Sequence, residues 1–306
     1  MILYKKRKLQ MLFSVLLFGA VIAFTFPDVS EADALDAKTE YDFSKPRDIF
    51  VLPSVLNEIS GITAINDDEI ACVQDEKGII FIFNLQQKKV TDTFSIAVEG
   101  DYEGVAQVND TMYVLRSDGT LLEVKNYKSK NKVLHSYPLE LASDDNEGLC
   151  YDQQWSRLLI ACKGKIGKGP AFKDIRVIYS FDLKRKKIEA EPVIEFSVKK
   201  MEEFARKNNI QLPVKERRNG EGTTSALRFM PSAIAIHPLT DELYLLSAID
   251  GMLLVLDQKG NIKHLQQLNI NLFNKPEGIT FLNNGDVFIS NEAEEKKPTL
   301  LRFNYR

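Results

Sequence analysis

The chain has 306 residues, with 40 Lys and Arg against 43 Asp and Glu, for a formal net charge of −3. That length supplies one large domain or two ordinary ones, and the balance lacks the basic excess of a dedicated nucleic-acid binder. Three Cys and three His exclude a disulfide-rich scaffold and a His-rich metal centre.

Lys5, Lys6, Arg7 and Lys8 precede an uncharged run at residues 11–26, which gives way to Pro27 and a polar, acidic stretch. Basic, apolar, then polar is the layout of an export signal. Ala32-Asp33-Ala34 places small residues where signal peptidase reads them, so cleavage is expected after Ala34. The run is long for a signal core and short for a membrane span, so an uncleaved anchor at residues 11–26 is the alternative. Either way the positive-inside rule sends the remainder out of the cytoplasm, into the periplasm or another extracytoplasmic space. Membrane contact is expected only through this segment. Residues 35–47 read as a linker.

A repeat occupies the rest. Ser60-Gly61-Ile62-Thr63, Glu103-Gly104-Val105-Ala106, Glu147-Gly148-Leu149-Cys150, Ser232-Ala233-Ile234-Ala235 and Glu277-Gly278-Ile279-Thr280 share one pattern, at spacings of 43, 44, 85 and 45 residues. Three of these match the period of four-stranded propeller blades. A second apolar run follows each step, at residues 69–73, 111–115, 157–162, 242–246 and 286–290. A polar or Gly turn comes next, then a third run at 79–85, 121–124, 177–183, 253–256 and 299–303. Most units close with a more polar fourth run. Short strands with turn signals at this density specify an all-β β-propeller. The last unit ends after its third strand, and residues 48–56 are otherwise unassigned. The N-terminal strand is therefore expected to complete the C-terminal blade and close the ring of a single domain, residues 48–306. This gives five blades, or six if the long interval hides a degenerate one. That interval contains an insertion at about 198–230. Met201, Phe204 and Ala205 mark one face of a helix there, read as an inter-blade decoration, with a lid over one face as the alternative.

The chain resembles the SdiA-regulated family of bacterial exported β-propellers. The resemblance rests on Glu58-Ile59-Ser60-Gly61-Ile62, Asp101-Tyr102-Glu103-Gly104-Val105, Asp145-Asn146-Glu147-Gly148-Leu149, Pro231-Ser232-Ala233-Ile234-Ala235-Ile236-His237-Pro238 and Lys275-Pro276-Glu277-Gly278-Ile279. More distantly it is similar to NHL-type and gluconolactonase-like propellers. The resemblance implies a propeller, export and association with the bacterial cell membrane, and no settled activity.

The first strand of a propeller blade lines the central axis. Ser60, Glu103, Glu147, Ser232 and Glu277 are thereby expected to form an axial ring, with Asp75, Glu76, Arg116, Lys163 and Glu292 on turns of the same face. Asp101, Asp145 and Asn146 stand just upstream. Converging carboxylates raise one another's pKa unless a cation offsets them. Oxygen ligands without His or Cys suit Ca²⁺ or Mg²⁺, so Glu103, Glu147 and Glu277 are candidate metal ligands. The competing reading satisfies the same glutamates locally, through backbone N–H groups, Arg116 or Lys163. The glycine after each Glu is expected to permit close backbone approach. His135, His237 and His264 fall away from the ring, with His237-Pro238 a turn between strands, and the three Cys read as buried thiols.

The sequence thus describes an exported propeller that binds a small ligand or an envelope partner without catalysis and without an organic cofactor. A divalent-metal hydrolase of a lactone, ester or phosphoester, with Glu147 or Glu292 as base, is the alternative. A structural scaffold for a membrane complex is the third reading.

Overall fold

Each repeated run becomes a strand because its apolar residues are wanted on both faces. A computed structural model describes residues 40–217 and 219–306, so the expected signal, anchor and cleavage site lie outside the described residues. β1 (Asp48–Val51) precedes the first blade, which is β2 (Ile59–Ala64), β3 (Glu69–Gln74), β4 (Ile79–Asn84) and β5 (Lys89–Ser95). The second comprises β6 (Tyr102–Val108), β7 (Thr111–Arg116), β8 (Thr120–Lys125) and β9 (Val133–Pro138). The third comprises β10 (Asn146–Asp152), β11 (Arg157–Cys162) and β12 (Ile175–Asp182). Its outer edge is shared by the short β13 (Lys187–Ile188) and β14 (Ile194–Ser197), both paired with β12. The insertion then forms α1 (Val198–Lys207) and a hairpin of β15 (Val214–Glu216) and β16 (Thr223–Ser225). The fourth blade is β17 (Ala233–Ile236), β18 (Leu243–Ser247), β19 (Met252–Leu256) and β20 (Ile262–Gln267). The fifth is β21 (Pro276–Phe281), β22 (Val287–Asn291) and β23 (Thr299–Phe303), completed by β1.

These five antiparallel sheets make a five-bladed β-propeller, and among the described residues no sixth blade occupies the long interval. The expected closure is present: β1 pairs β23 with Ile49 opposite Leu301 and Phe50 opposite Leu300. The strand is shorter than residues 48–56, because Pro53 stops it and a 3₁₀ turn at Ser54–Leu56 follows.

Five apolar cores fill the wedges between adjacent blades. On β3, Ile70 and Cys72 pack toward the fifth blade, while Ala71 and Val73 pack toward the second. Alternate residues therefore serve opposite neighbours, and the middle strands read as continuous apolar runs instead of alternating ones. The helix α1 buries Val198, Met201 and Ala205 in the wedge between the third and fourth blades, against β14 and β20. It extends that core. Cys72, Cys150 and Cys162 are buried free thiols. Among the described residues no helix is long and apolar enough to cross a membrane.

The inner strands β2, β6, β10, β17 and β21 meet around the axis. There the glycine that follows the axial residue in four of the five blades is required, the fourth blade having Ala233. A Cβ on Gly61 would lie 2.7 Å from the carbonyl oxygen of Glu103, and one on Gly104 would lie 2.5 Å from Leu149 Cβ and 2.9 Å from the carbonyl oxygen of Glu147.

Packing also begins before β1. In the segment read as a linker, Tyr41 and Phe43 are buried between the fourth and fifth blades. His237, fully buried at the end of β17, holds Tyr41. The N–H groups of Leu239 and Thr240 donate to its Nδ1 at 3.2 Å, which leaves the proton on Nε2. That N–H donates to the Tyr41 hydroxyl at 2.7 Å, and the hydroxyl donates to the Gly285 carbonyl. Burial holds the imidazole pKa down at about 4.

Two outcomes follow. Gly104→Ala is expected to destabilise by about 2–3 kcal/mol, because backbone must move, as read by urea unfolding. His237 takes up a proton in the unfolded chain near pH 6.5 and in the folded one only near pH 4. Its contribution, about 3 kcal/mol, is present above pH 6.5 and lost as the pH falls toward 4. Unfolding titrations of His237→Gln should lack that part of the acid slope; an unchanged slope would refute the assignment.

Candidate functional site

The axial residues are aimed by a repeated irregularity. In four blades the pairing of first and second strands slips at the repeated step of the pattern: between Ile59 and Ile62, Tyr102 and Gly104, Asn146 and Gly148, and Pro276 and Gly278. A bulge of this kind leaves one residue outside the ladder and re-aims its side chain. In three blades that residue is a glutamate. Glu103, Glu147 and Glu277, with Ser232 of the fourth blade, line a narrow axial cavity of about 10 Å³, room for one water-sized group.

Two lysines reach these carboxylates. Lys163, just past β11, is ion-paired to Glu147 Oε1. Lys275, just ahead of β21, lies 2.5 Å from Glu292 Oε2 and 3.6 Å from Glu277 Oε1. Glu147 is 5% exposed, and its Oε2 has no hydrogen-bond partner within the protein. Asn146 and Asn291 are fully buried at the same ends of β10 and β22. Their amide groups donate to Ser117 and Ser143 carbonyls, and to the Leu272 carbonyl and Thr299 hydroxyl, at 3.0–3.1 Å. Their Oδ1 atoms are left without a partner, as is Asp75 Oδ1.

Burial, with the charges of Glu277 and Glu103, pushes the Glu147 carboxyl up to about 9 against the pull of Lys163. Burial and Asp101 push Glu103 up to about 8. Glu277 is raised chiefly by burial. Burial and a carboxyl–carboxyl hydrogen bond with Glu58 bring Glu292 up to about 7, opposed by Lys275. Burial would lower both lysines, and the carboxylates beside them outweigh it. The cluster is short of positive charge, and protons make up the difference.

The other expected site residues divide. Asp75 stands partly buried at the face, raised by burial and by Glu58, Glu76 and Asp101. Glu76 is exposed, and its charge adds to the rise at Asp75. Arg116 pairs with Asp118 at 3.0 Å. Ser60 is buried, and its hydroxyl points back to the Glu58 carbonyl at 3.4 Å; Gly61, not Ser60, borders the cavity. The Ser232 hydroxyl is committed to the Pro276 carbonyl at 2.8 Å, tying the fourth blade to the fifth. Sequence reasoning missed Lys275. Its signal was position: it stands two residues before an axial Glu, where Asp101 and Asp145 precede theirs.

Oxygen donors suit a hard cation, yet Lys163 and Lys275 already sit on oxygens such an ion would use. Among the described residues no three carboxylate, imidazole or thiol groups converge as a metal's ligand set. The arrangement fits a hydrogen-bonding cation better than a bare metal ion.

No protein-family model and no curated protein sequence matches the chain. Among solved structures it is similar to the glutaminyl cyclase of Myxococcus xanthus, at 12% identity over 85% of this chain and 95% of that one, with a TM-score of 0.54. It is also similar to a streptogramin B lyase, at 14% identity over 84% and 97%, with a TM-score of 0.47. At such identity the likeness to the cyclase extends to the propeller fold alone.

Lys163→Met should leave Glu147 without its cation, and the carboxyl will then stay protonated. Folded Glu147 binds a proton that the unfolded chain releases near 4.5, so stability falls as the pH rises from there toward 9. In the variant this loss is expected to deepen by about 3 kcal/mol at alkaline pH, and the added loss to vanish in Lys163→Met/Glu147→Gln. Equal losses at pH 5 and 9 in urea titrations would show that Lys163 acts through packing.

Proposed function

We propose that the chain is an exported β-propeller of the SdiA-regulated type that binds a small ligand at the axial face and does not turn it over. The observation that carries this reading is the set of buried acceptors left open there: Glu147 Oε2, Asn146 Oδ1 and Asn291 Oδ1. Buried polar atoms in folded proteins are normally satisfied, and a face that gathers several unsatisfied ones is prepared for a ligand. Export is supported by the basic and apolar segments at residues 5–8 and 11–26.

The hydrolase alternative has less behind it. It requires an open metal position and a free base, whereas the lysines occupy the carboxylates and the Ser232 hydroxyl is engaged. The glutaminyl cyclase is an enzyme on a similar fold, and a fold hosts both binding and catalysis.

The test is a thermal-shift screen of the protein against metabolites, peptides, Ca²⁺ and Mg²⁺, run beside turnover assays on lactones, esters and phosphoesters. A stabilising ligand is expected whose effect falls at least tenfold in affinity in Glu147→Gln, with no turnover. Hydrolysis abolished by the same substitution would overturn the binding reading. Stabilisation unaffected by it would move the site elsewhere.

A further inference from the structure

We propose that the axial face binds a linear aliphatic polyamine, with one terminal ammonium seated between Glu103 and Glu147 and the next held by the carboxylates of the rim. This rests on the axial face being the ligand site, and it names the ligand's chemistry.

Charge gives the first reason. Three carboxylates line the cavity, while two ammonium groups reach the cluster, and Lys275 is shared with Glu292. One more positive charge is wanted inside. Donor count gives the second. The open atoms at Glu147, Asn146, Asn291 and Asp75 are acceptors, and Arg116 Nε is the open donor beside them; of these residues only Glu147 lines the cavity, so a group entering it must bring N–H rather than accept it. An anion would meet like-sign charge, and a carbonyl oxygen would bring an acceptor to the Glu147 acceptor.

Size gives the third reason. The cavity admits one water-sized group, and an ammonium on an unbranched methylene chain is that size. A guanidinium, a ring or a branched amine is too wide.

The rim decides between a monoamine and a polyamine. Asp101 is exposed, and Asp75 and Asp145 are partly so. Asp101 lies within electrostatic range of Asp75, Glu103 and Asp145, which makes one continuous acidic path from rim to axis. Arg116 is engaged by Asp118 and the Asp101 carboxylate is met by the Ser117 hydroxyl. Among the described residues no ion pair reaches Glu103, Asp75, Asp101 or Asp145. Successive ammonium groups a few methylenes apart match carboxylates arranged in this way.

Calorimetric titrations of the protein with spermidine, putrescine, N-acetylputrescine and CaCl₂ test this, at pH 6, 7 and 8 and in buffers of different ionisation enthalpy. Spermidine should bind tightest and the acetylated monocation weakest. The ammonium displaces a proton from the pair of Glu103 and Glu147, in the field of Asp101, Glu277 and Lys163. Affinity should therefore rise by up to about tenfold per pH unit from 6 to 8, with about one proton released. Glu103→Gln, at a partly exposed position, should weaken spermidine about tenfold or more at pH 8 and flatten the pH dependence. Absence of amine binding, with Ca²⁺ or another ligand bound and sensitive to Glu147→Gln, would overturn the polyamine and leave the axial site standing. Amine binding that survives Glu103→Gln and Glu147→Gln would overturn both. Binding abolished at 0.15 M salt and equal in all variants would show only a screened acidic surface, and would also overturn the proposal.

Discussion

The closeness of five backbones at the axis is the constraint on which the rest depends. The first strands approach until a Cβ on one would enter the next, as at Gly61 against Glu103 and Gly104 against Leu149. Along the axis this packs backbone together with Ile62, Val105, Leu149, Ile234 and Ile279, one from each blade. Bulges in four blades relieve the ladder, and in three of them the residue left out of it is a glutamate at the end of the axis. Packing thus creates the opening, and three glutamates take it.

A buried carboxylate is not in itself a site, and this protein contains the control. Glu123 on β8 is 1% exposed, deeper than Glu147. The Tyr113 and Tyr137 hydroxyls donate to it at 2.6 and 2.8 Å, and Lys186 lies 2.5 Å away. Burial alone would raise its pKa, but these partners hold it down at about 2. Every oxygen is satisfied, and the cluster clips the second blade to the turn after β12. Glu147 differs in sign and in kind: it has one cation, one open oxygen and a pKa displaced upward. The same physics separates a fastener from a receptor by counting donors.

Much of the fold was legible because its signals are local. Continuous apolar runs, turn residues and the axial step recur in each unit, and the orphaned strand at residues 48–51 had only one edge to complete. Glycine's role was readable from its place after Glu. The elements that escaped depend on contacts distant in sequence. Tyr41 looked like linker because its partners, His237 and Gly285, lie far along the chain. Lys275 looked like an ordinary charge before a Pro. Its partner Glu292 is supplied by the far end of β22, and only strand register places the two together. Ser60 and Ser232 occupied the right repeat positions, but their hydroxyls turn to backbone carbonyls, which no repeat pattern reveals.

The positions of those serines explain how so much acid is tolerated. Around the ring the order is Ser60, Glu103, Glu147, Ser232, Glu277, so Glu277 is flanked by neutral groups and only Glu103 and Glu147 come from adjacent blades. Each lysine serves one side of this division, Lys163 at Glu147 and Lys275 at Glu277 with Glu292. Five glutamates would demand cations that the crowded axis cannot hold. Three, with two lysines, keep the fold viable and leave the Glu103 carboxyl to be neutralised by a proton, where the side chain is partly exposed and the acidic rim begins. That carboxyl therefore faces solvent, where the proton can exchange without opening the propeller.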